Sequence, residues 1–186
     1  ISLAVVPGAL PDASEQARIR QQITAAADSY RAIIAAQGYR VPIRAGSNGH
    51  YPWGSNSLVA NNAIVLALAH DFTRDERYAS GVVQAMDYLL GKNPLALSYV
   101  SGFGDHAFEN PHHRFWAHQK RSSFPHPPPG VLAGGPNSRR QDPTTSRLGA
   151  RPPQRCYIDH VDAWSVNEVA INWNAPLAWL AAYLDD

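Results

Sequence analysis

The sequence is 186 residues long, 45% of them hydrophobic and 17% charged, which is enough apolar material for one ordinary core but too little length for two full domains. This composition excludes a disordered chain and a collagen-like repeat. The 16 basic and 15 acidic residues are scattered and leave a net charge of +1, so the charge pattern argues against a nucleic-acid partner.

The longest apolar stretches, such as residues 63–69, are far shorter than the roughly 20 residues that a membrane-spanning helix needs. The chain begins ISLAVVPGALP, without the basic lead and the cleavage site of an export signal. We therefore expect a soluble chain that has no export signal of its own and no membrane partner. Its one cysteine, Cys156, neither supports nor excludes an oxidising compartment.

The first predicted helix begins near Asp12, because Asp12 and Glu15 have the spacing of a capping box. Apolar residues then recur at helical spacing until Gly38 supplies a stop. After an extended segment, YRVPIRAGSNGHYPWGSN, a second apolar run extends over residues 58–69. That run has length but little polar face, so it predicts a buried helix.

A third helix is predicted after Thr73 and Glu76, which again have the spacing of a capping box. One face of this helix is apolar, and Gly91 is its expected terminator. The apolar face consists of Tyr78, Val82, Met86 and Leu89.

The stretch from residue 93 to about residue 164 has no sustained helical or strand period and holds most of the prolines and six of the eight histidines. Loops of this length are either functional or disordered. Aromatic residues occur throughout it, and disordered segments are normally poor in aromatics. We therefore predict an ordered loop that builds a site.

The last element is predicted from VNEVAINWNAPLAWLAAYL, which is apolar almost all round and so predicts one helix buried among others, bent where Pro176 removes an amide donor. Together the elements give an all-α fold with one long loop. The predicted helices are apolar on more than one face, and the other helices of this chain are too few to cover all of that apolar surface. The sequence therefore predicts a part of a larger helical domain.

Glu168 is the most informative residue, because it is a carboxylate within an otherwise apolar predicted helix, preceded by Asp159 and Asp162. Burial raises the pKa of a carboxyl group, which is the condition for a general acid that holds its proton near neutral pH. A proton donor is the functional interpretation. The structural alternative is that Glu168 caps its helix or pairs with an arginine.

A second group of polar residues is Pro-His-His-Arg at residues 111–114. On an extended segment His112 and Arg114 share one face, where they offer hydrogen-bond donors to hydroxyls or a carboxylate. A zinc site is a rival interpretation, since His106, His113 and His118 lie nearby, but the spacing matches no helical zinc motif. A third interpretation is a solvated histidine-rich loop without a ligand.

Trp53 precedes the second helix and has small neighbours that would leave its ring accessible. Aromatic faces stack on the apolar faces of sugar rings. Taken alone, Trp53 fits a core or helix-staple residue better than a sugar-binding surface. The sequence contains no glycine-rich phosphate loop and no serine-elbow motif.

Taken in order, these pieces resemble the C-terminal part of the catalytic domain of glycoside hydrolase family nine, the inverting cellulases built on an (α/α)6 barrel. The segments SYVSGFG (98–104) and PHHR (111–114) resemble one family signature, and Tyr157, Asp159, Trp164, Glu168 and Ala170, with the Asn-Ala pair at 174–175, resemble the second. WGSN, LLGKNP and PPPGVLAGGPNS extend the resemblance over nearly all of residues 1–186.

The resemblance implies a role for each matched residue. Glu168 becomes the catalytic acid, with Asp159 and His112 beside it in the catalytic site. Arg114 and His112 bind sugar hydroxyls, while Trp53 and Trp173 form stacking platforms. The implied activity is hydrolysis of β-1,4-glycosidic bonds in cellulose or related β-glucans, of the endo type.

Inverting hydrolysis needs a second carboxylate as base, and the family's Asp-Ala-Gly-Asp motif does not occur in the sequence. We therefore expect the base on an N-terminal part of the barrel outside this chain, and no activity from the chain alone. An exo-acting cellobiohydrolase, a β-glucosaminidase and a silent carbohydrate-binding fragment remain alternatives. The resemblance implies secretion, requires no cofactor and allows a structural calcium ion, although no EF-hand loop is present.

Overall fold

The computed structural model describes residues 12–185, and within them the secondary structure is helical with no strand longer than an isolated bridge. The expectation about an export signal falls on residues 1–11, outside the described residues. The elements are α1 (Ala13–Ala36), α2 (Ser55–Thr73), α3 (Glu76–Leu89), α4 (Pro143–Ser146), a 3-10 helix (Pro153–Arg155), α5 (Trp164–Asn167) and α6 (Ile171–Asp185). The all-α prediction is confirmed.

Helix α2 is the centre of the packing, because α1, α3 and α6 all lie against it. It starts three residues before the predicted apolar run, directly after Gly54, whose φ of 71° turns the chain into the helix. Nine of its residues are buried, so the prediction of a buried helix is confirmed. The side chains at this centre are small or aliphatic and include Val59, Ala63 and Leu66, each with no exposed surface.

Two predicted helix starts differ from the structure in detail. Asp12 does cap α1 by accepting from the backbone N–H of Ser14, but the Glu15 carboxylate pairs with Arg18 at 2.6 Å. The predicted capping box at Thr73 is wrong: Thr73 is the last residue of α2, where its hydroxyl donates to the carbonyl of Ala69. The residue that caps α3 is Asp75, because its side chain accepts from the first turn of the new helix.

The prediction of one continuous C-terminal helix is wrong, because the chain leaves helical geometry at Glu168. Glu168 has φ −62° and ψ 154°, an extended conformation that separates α5 from α6. The backbone carbonyls of Asn167 and Glu168 accept from His112 and Gly134 instead of from the next helical turn. Hydropathy alone shows a continuous run here, since bonding to distant segments leaves no trace in a local pattern.

Helix α6 was expected to be buried on all sides, and the structure differs from this prediction. Three of its residues, Pro176, Leu177 and Leu180, are buried against the described chain. Other apolar residues of α6 are exposed, and Ile171 reaches 90% exposure. Within residues 12–185 this helix is therefore a half-covered element with an open apolar side.

The long segment between α3 and α5 is ordered, as predicted, and supplies part of the core. Tyr99 and Phe108 have no exposed surface, and residues 131–138 are buried throughout. Isolated bridges join Val100 to Leu132 and His112 to Glu168, so distant parts of the segment run side by side. The segment is a framework for side chains near α5.

Gly135 occupies a position in this framework where a side chain has no room. Its φ is 92°, and an added Cβ would overlap three side-chain atoms of Asn56. Asn56 is fully buried and donates from its amide side chain to the carbonyl of Ala133, while its backbone N–H donates to Gly134. The contact joins the start of α2 to residues 133–135.

We predict that Gly135→Ala in the intact protein lowers the free energy of unfolding by at least about 3 kcal/mol, because backbone strain and overlap with Asn56 add together. The matched control is Gly130→Ala, since Gly130 has φ 91° and, among the described residues, nothing within 4 Å of the added Cβ. The control should lose about 1–2 kcal/mol. Urea unfolding of both variants measures the difference, and equal losses would contradict the packing role of Asn56.

Candidate functional site

Three distant segments of the chain meet at Glu168. His112 donates its backbone N–H to the carbonyl of Asn167 at 2.8 Å, and Gly134 donates to the carbonyl of Glu168 at 2.9 Å. Gly135 donates to the carbonyl of Val166 at 2.9 Å. The backbone on both sides of Glu168 is therefore held by partners more than thirty positions away in sequence, which aims its side chain without the help of a helix.

The Glu168 carboxylate accepts a hydrogen bond from the indole N–H of Trp53, with 3.1 Å between Nε1 and Oε2. Glu168 is half-buried, not buried within a helix as the sequence predicted. Trp53 is 37% exposed as a residue, and the centre of its ring lies 5.2 Å from that of Trp164. The structure therefore brings together a partly accessible carboxyl group and an open aromatic face.

A backbone carbonyl group fixes the orientation of the His112 imidazole. Its Nδ1 lies 2.7 Å from the carbonyl oxygen of Val161, and a carbonyl can only accept, so Nδ1 carries the proton. In the neutral ring, Nε2 is then the unprotonated nitrogen. Since the backbone of His112 pairs with the residue before Glu168, the predicted pair of Glu168 and His112 is brought together.

Asp159 has its carboxylate oxygens occupied by donors from two segments. They accept from the backbone N–H groups of Glu109 and Asn110 at 2.8 and 2.9 Å, and from the side-chain amides of Asn110 and Asn167 at 3.1 and 3.0 Å. Asp159 thus ties the segment before His112 to the residue before Glu168. This geometry suits a carboxylate that positions the site and has no lone pair to spare for a water molecule.

Asn167 is a part of this arrangement that sequence reasoning missed. Its side-chain amide donates to Asp159 and to the carbonyl of Asn110, and its amide oxygen accepts from the hydroxyl of Tyr157. Tyr157 is buried, and burial together with the nearby Asp159 carboxylate raises the pKa of its hydroxyl well above 10, so it remains a donor. An asparagine inside an apolar run was the only available signal.

A buried carboxylate, Asp142, was also missed, although an aspartate directly before proline is typical of a helix start. Asp142 is 1% exposed and caps α4 by accepting from the backbone N–H of Thr145 at 2.7 Å. It also accepts from the Thr145 hydroxyl and from the backbone N–H and hydroxyl of Ser165. Because Ser165 belongs to α5, Asp142 anchors the helix that directly precedes Glu168.

Burial raises the pKa of Asp142, but hydrogen bonds from Ser165 and Thr145 outweigh it, and the net shift is below the ordinary value of 3.8. The folded protein therefore prefers the ionised form. Its hydrogen bonds stabilise the α4–α5 connection above the ordinary pKa of an aspartate, and this stabilisation is lost as the pH falls through the lowered pKa.

Arg114 and Trp173 were also predicted as site residues, and their environments differ from those of Glu168 and His112. Arg114 is exposed, two positions after His112. Trp173 is half-buried and packs against the core, where its ring fills the space that a Cβ on Gly54 or Gly134 would need. The structure places Trp173 beneath the turn that carries Trp53, and the binding roles of Arg114 and Trp173 stay predictions.

The histidine-rich segment places its rings in pairs. His113 stacks on Trp116 with 4.0 Å between ring centres, and burial followed by the charge of His112 lowers the pKa of His113. His118 and His126 also lie 4.0 Å apart. Among residues 12–185 there is no group of three His, Cys, Asp or Glu side chains placed to hold a metal ion.

The model of glycosyl hydrolase family 9 matches residues 4–181 of the chain. The chain is 50% identical over 190 residues to a cellulose 1,4-beta-cellobiosidase of Acetivibrio thermocellus and 43% identical over 190 residues to endoglucanase C of Cellulomonas fimi. All of the chain is matched in both cases, but it spans only 21% and 17% of these relatives' own lengths.

Solved structures share the fold of this chain. The chain superposes on AaCel9A in complex with cellobiose-like isofagomine with a TM-score of 0.83 and 32% identity, covering 98% of this chain and 34% of that one. A metagenome-derived family 9 endoglucanase gives a TM-score of 0.80 at 37% identity, with 97% and 31% covered. The described fold is therefore part of an (α/α)6 barrel, as predicted.

We predict that Asp142→Asn lowers the free energy of unfolding of the intact protein by about 2 kcal/mol near neutral pH, because an amide nitrogen cannot accept from Ser165. The loss should shrink as the pH falls from about 4 through the lowered pKa of Asp142, because the carboxylate takes up a proton first in the unfolded chain and then, below its lowered pKa, in the folded protein. Urea unfolding at several pH values measures this. Asp105→Asn at an exposed position is the control, and a loss independent of pH would contradict an ionised Asp142.

Proposed function

Because the chain belongs to glycosyl hydrolase family 9, we propose that it forms the acid-bearing part of an inverting β-1,4-glucanase, with Glu168 as the proton donor. The observation that supports this assignment is the contact between Glu168 and Trp53. A carboxyl group beside a partly exposed indole places a proton donor next to a surface on which a sugar ring can stack. Of the relatives named above, one is named a cellulose 1,4-beta-cellobiosidase and the other an endoglucanase.

The proposed reaction uses two proton transfers on opposite faces of the sugar. Protonated Glu168 gives its proton to the glycosidic oxygen as the bond between that oxygen and the anomeric carbon breaks. A water molecule forms the new bond from the opposite face and loses its proton to a base carboxylate, which inverts the configuration. Glu168 is left ionised, and the indole N–H of Trp53 is already placed to donate to that charge.

We propose that the base belongs to a part of the barrel outside this chain. It would have to lie about 6.5–9.5 Å from the acid to leave room for the water. The two aspartates that precede Glu168 in sequence are engaged elsewhere: Asp159 accepts four hydrogen bonds, and Asp162 pairs with Lys120 at 2.5 Å. Without that base we expect no hydrolysis from the chain alone.

The substrate of the proposal is a β-glucan chain lying over Glu168. Trp53 offers its exposed face to one sugar unit, and the Nε2 of His112 and the guanidinium of Arg114 are available to hydroxyl groups. No cofactor is required, since both steps are proton transfers, and a structural calcium ion stays a prediction. A polymeric substrate outside the cell implies secretion, and within residues 12–185 no helix has the length and hydropathy to span a bilayer.

We predict that Glu168→Gln in the intact enzyme lowers kcat on cello-oligosaccharides by about a thousandfold or more, because the amide has no acidic proton to donate. KM should change by less than about threefold, since the amide keeps the size of the side chain and a hydrogen bond to Trp53. Steady-state kinetics on cellotetraose with defined product analysis measures both constants.

Glu76→Gln is the matched control for this experiment, because Glu76 lies in the first turn of α3 with an exposed side chain and makes the same carboxylate-to-amide change. It should retain the parent kcat. A Glu168→Gln enzyme with kcat near that of the control would exclude Glu168 as the acid and would favour a silent carbohydrate-binding role for this part of the protein.

An exo-acting enzyme is the second candidate function, because the relative with 50% identity is named a cellobiosidase while that with 43% identity is named an endoglucanase. For the endo type we predict a rapid fall in the viscosity of a soluble cellulose derivative with few new reducing ends. Cellobiose as the main early product, with viscosity almost unchanged, would instead establish the exo type.

A further inference from the structure

A groove of about 510 Å³ lies beside Trp53. Trp53 forms part of its lining and also donates to the Glu168 carboxylate, so the groove and the candidate active site share this side chain. A volume of this order accommodates a small ligand. The polar side chains of the lining are Arg44, Asn48, His50, Arg139 and Gln141. We call this feature the Trp53 groove.

The Trp53 groove is positively charged. Its lining includes Arg44 and Arg139 and, in the described part of the chain, no aspartate or glutamate. Both arginines are exposed, and no salt bridge between described residues involves either of them. The nearest acidic residue in sequence, Asp142, is turned inward toward Thr145 and Ser165. Two guanidinium groups therefore line the groove without a counter-ion among residues 12–185.

The backbone that carries these arginines is held in place by a buried serine. Ser138 accepts from the backbone N–H of Tyr51 at 2.8 Å, and its hydroxyl lies 3.2 Å from Nδ1 of His50. His50 in turn accepts from the N–H of Gly46 through its carbonyl, which closes the turn after Arg44. Arg139 follows Ser138 directly, so both arginine-bearing segments share one anchor.

The groove on the other side of the tryptophan pair has a different charge pattern. It is lined by Trp164 and by charged residues of both signs, among them Arg147 and Asp162, and Asp162 is paired with Lys120. Trp53 and Trp164 lie 5.2 Å apart and separate the two grooves. Arg147 makes no salt bridge between described residues either, so the two grooves differ in degree: two unpaired arginines and no acidic residue line the Trp53 groove, against one arginine and one aspartate on the Trp164 side.

We propose that the Trp53 groove binds a sugar unit that carries a carboxylate, as in a β-glucan whose units are oxidised to uronic acids or bear acidic substituents. Guanidinium groups form charge-assisted hydrogen bonds with carboxylates, and the face of Trp53 takes the sugar ring. Asn48 and Gln141 supply partners for neutral hydroxyls. The proposal rests on the proposed function, because it names a substrate feature recognised next to the acid.

The size of the effect follows from the exposure of the arginines. Exposed ion pairs contribute little individually, so two of them give a preference of about fivefold at low salt and not of orders of magnitude. Salt at about 0.5 M screens such contacts and should remove most of the preference. A neutral oligosaccharide, held by stacking and neutral hydrogen bonds, should show little change.

The test compares two ligands that differ in one group: cellotetraose, and cellotetraose with one primary alcohol oxidised to a carboxylate. Isothermal titration calorimetry measures their Kd values for the intact protein carrying Glu168→Gln, so that binding is read without hydrolysis. We expect the carboxylated ligand to bind about fivefold more tightly. Adding Arg44→Gln and Arg139→Gln together should bring the two Kd values within about twofold of each other.

Arg18→Gln, at an exposed position of α1, is the matched control and should leave the preference intact. Equal Kd values for both ligands at low salt, or a preference that survives the double substitution, would overturn the proposal. This outcome is distinct from failure of the proposed function, which would appear as undiminished hydrolysis by the Glu168→Gln enzyme whatever its ligand preference.

Discussion

The arrangement depends on two backbone carbonyls, those of Asn167 and Glu168, being taken out of helical bonding by His112 and Gly134. A carbonyl at this position would otherwise accept from a residue one helical turn later. Because distant segments supply the donors, the apolar run divides into α5 and α6, and Glu168 lies in an extended link between them. The Glu168 side chain is therefore partly exposed to solvent and in contact with Trp53. In a continuous helix its direction would instead be set by the helical period.

The carboxylates near this junction differ in the number of hydrogen bonds that they accept. This number distinguishes the two aspartates that join segments from Glu168. Asp159 and Asp142 each accept four hydrogen bonds, from groups that belong to separate segments. Such carboxylates hold segments together, and their lone pairs are used. Glu168 is half-exposed and, among the described residues, accepts a hydrogen bond only from the indole N–H of Trp53.

Sequence patterns predicted the elements that depend on local periodicity. The helices around Ile34, Leu66 and Val82 form as expected because a repeating apolar face needs only a neighbour to cover it. The start of α3 was misplaced by two residues, since Thr73 and Asp75 are both good caps and only the ending of α2 decides between them. The division at Glu168 was missed because its cause lies more than thirty residues away.

The sequence by itself determined the helical class and the family resemblance, and it singled out Glu168, His112 and Asp159 as candidate residues, since these follow from composition, periodicity and motif order. Only the tertiary structure decided that Trp53 donates to Glu168, that Asn167 links Asp159 to Tyr157, and that Arg44 and Arg139 share a groove. Each of these contacts joins positions that are distant along the chain or folded together at a turn. Their distances follow from packing and hydrogen bonding in three dimensions, which a one-dimensional pattern does not specify.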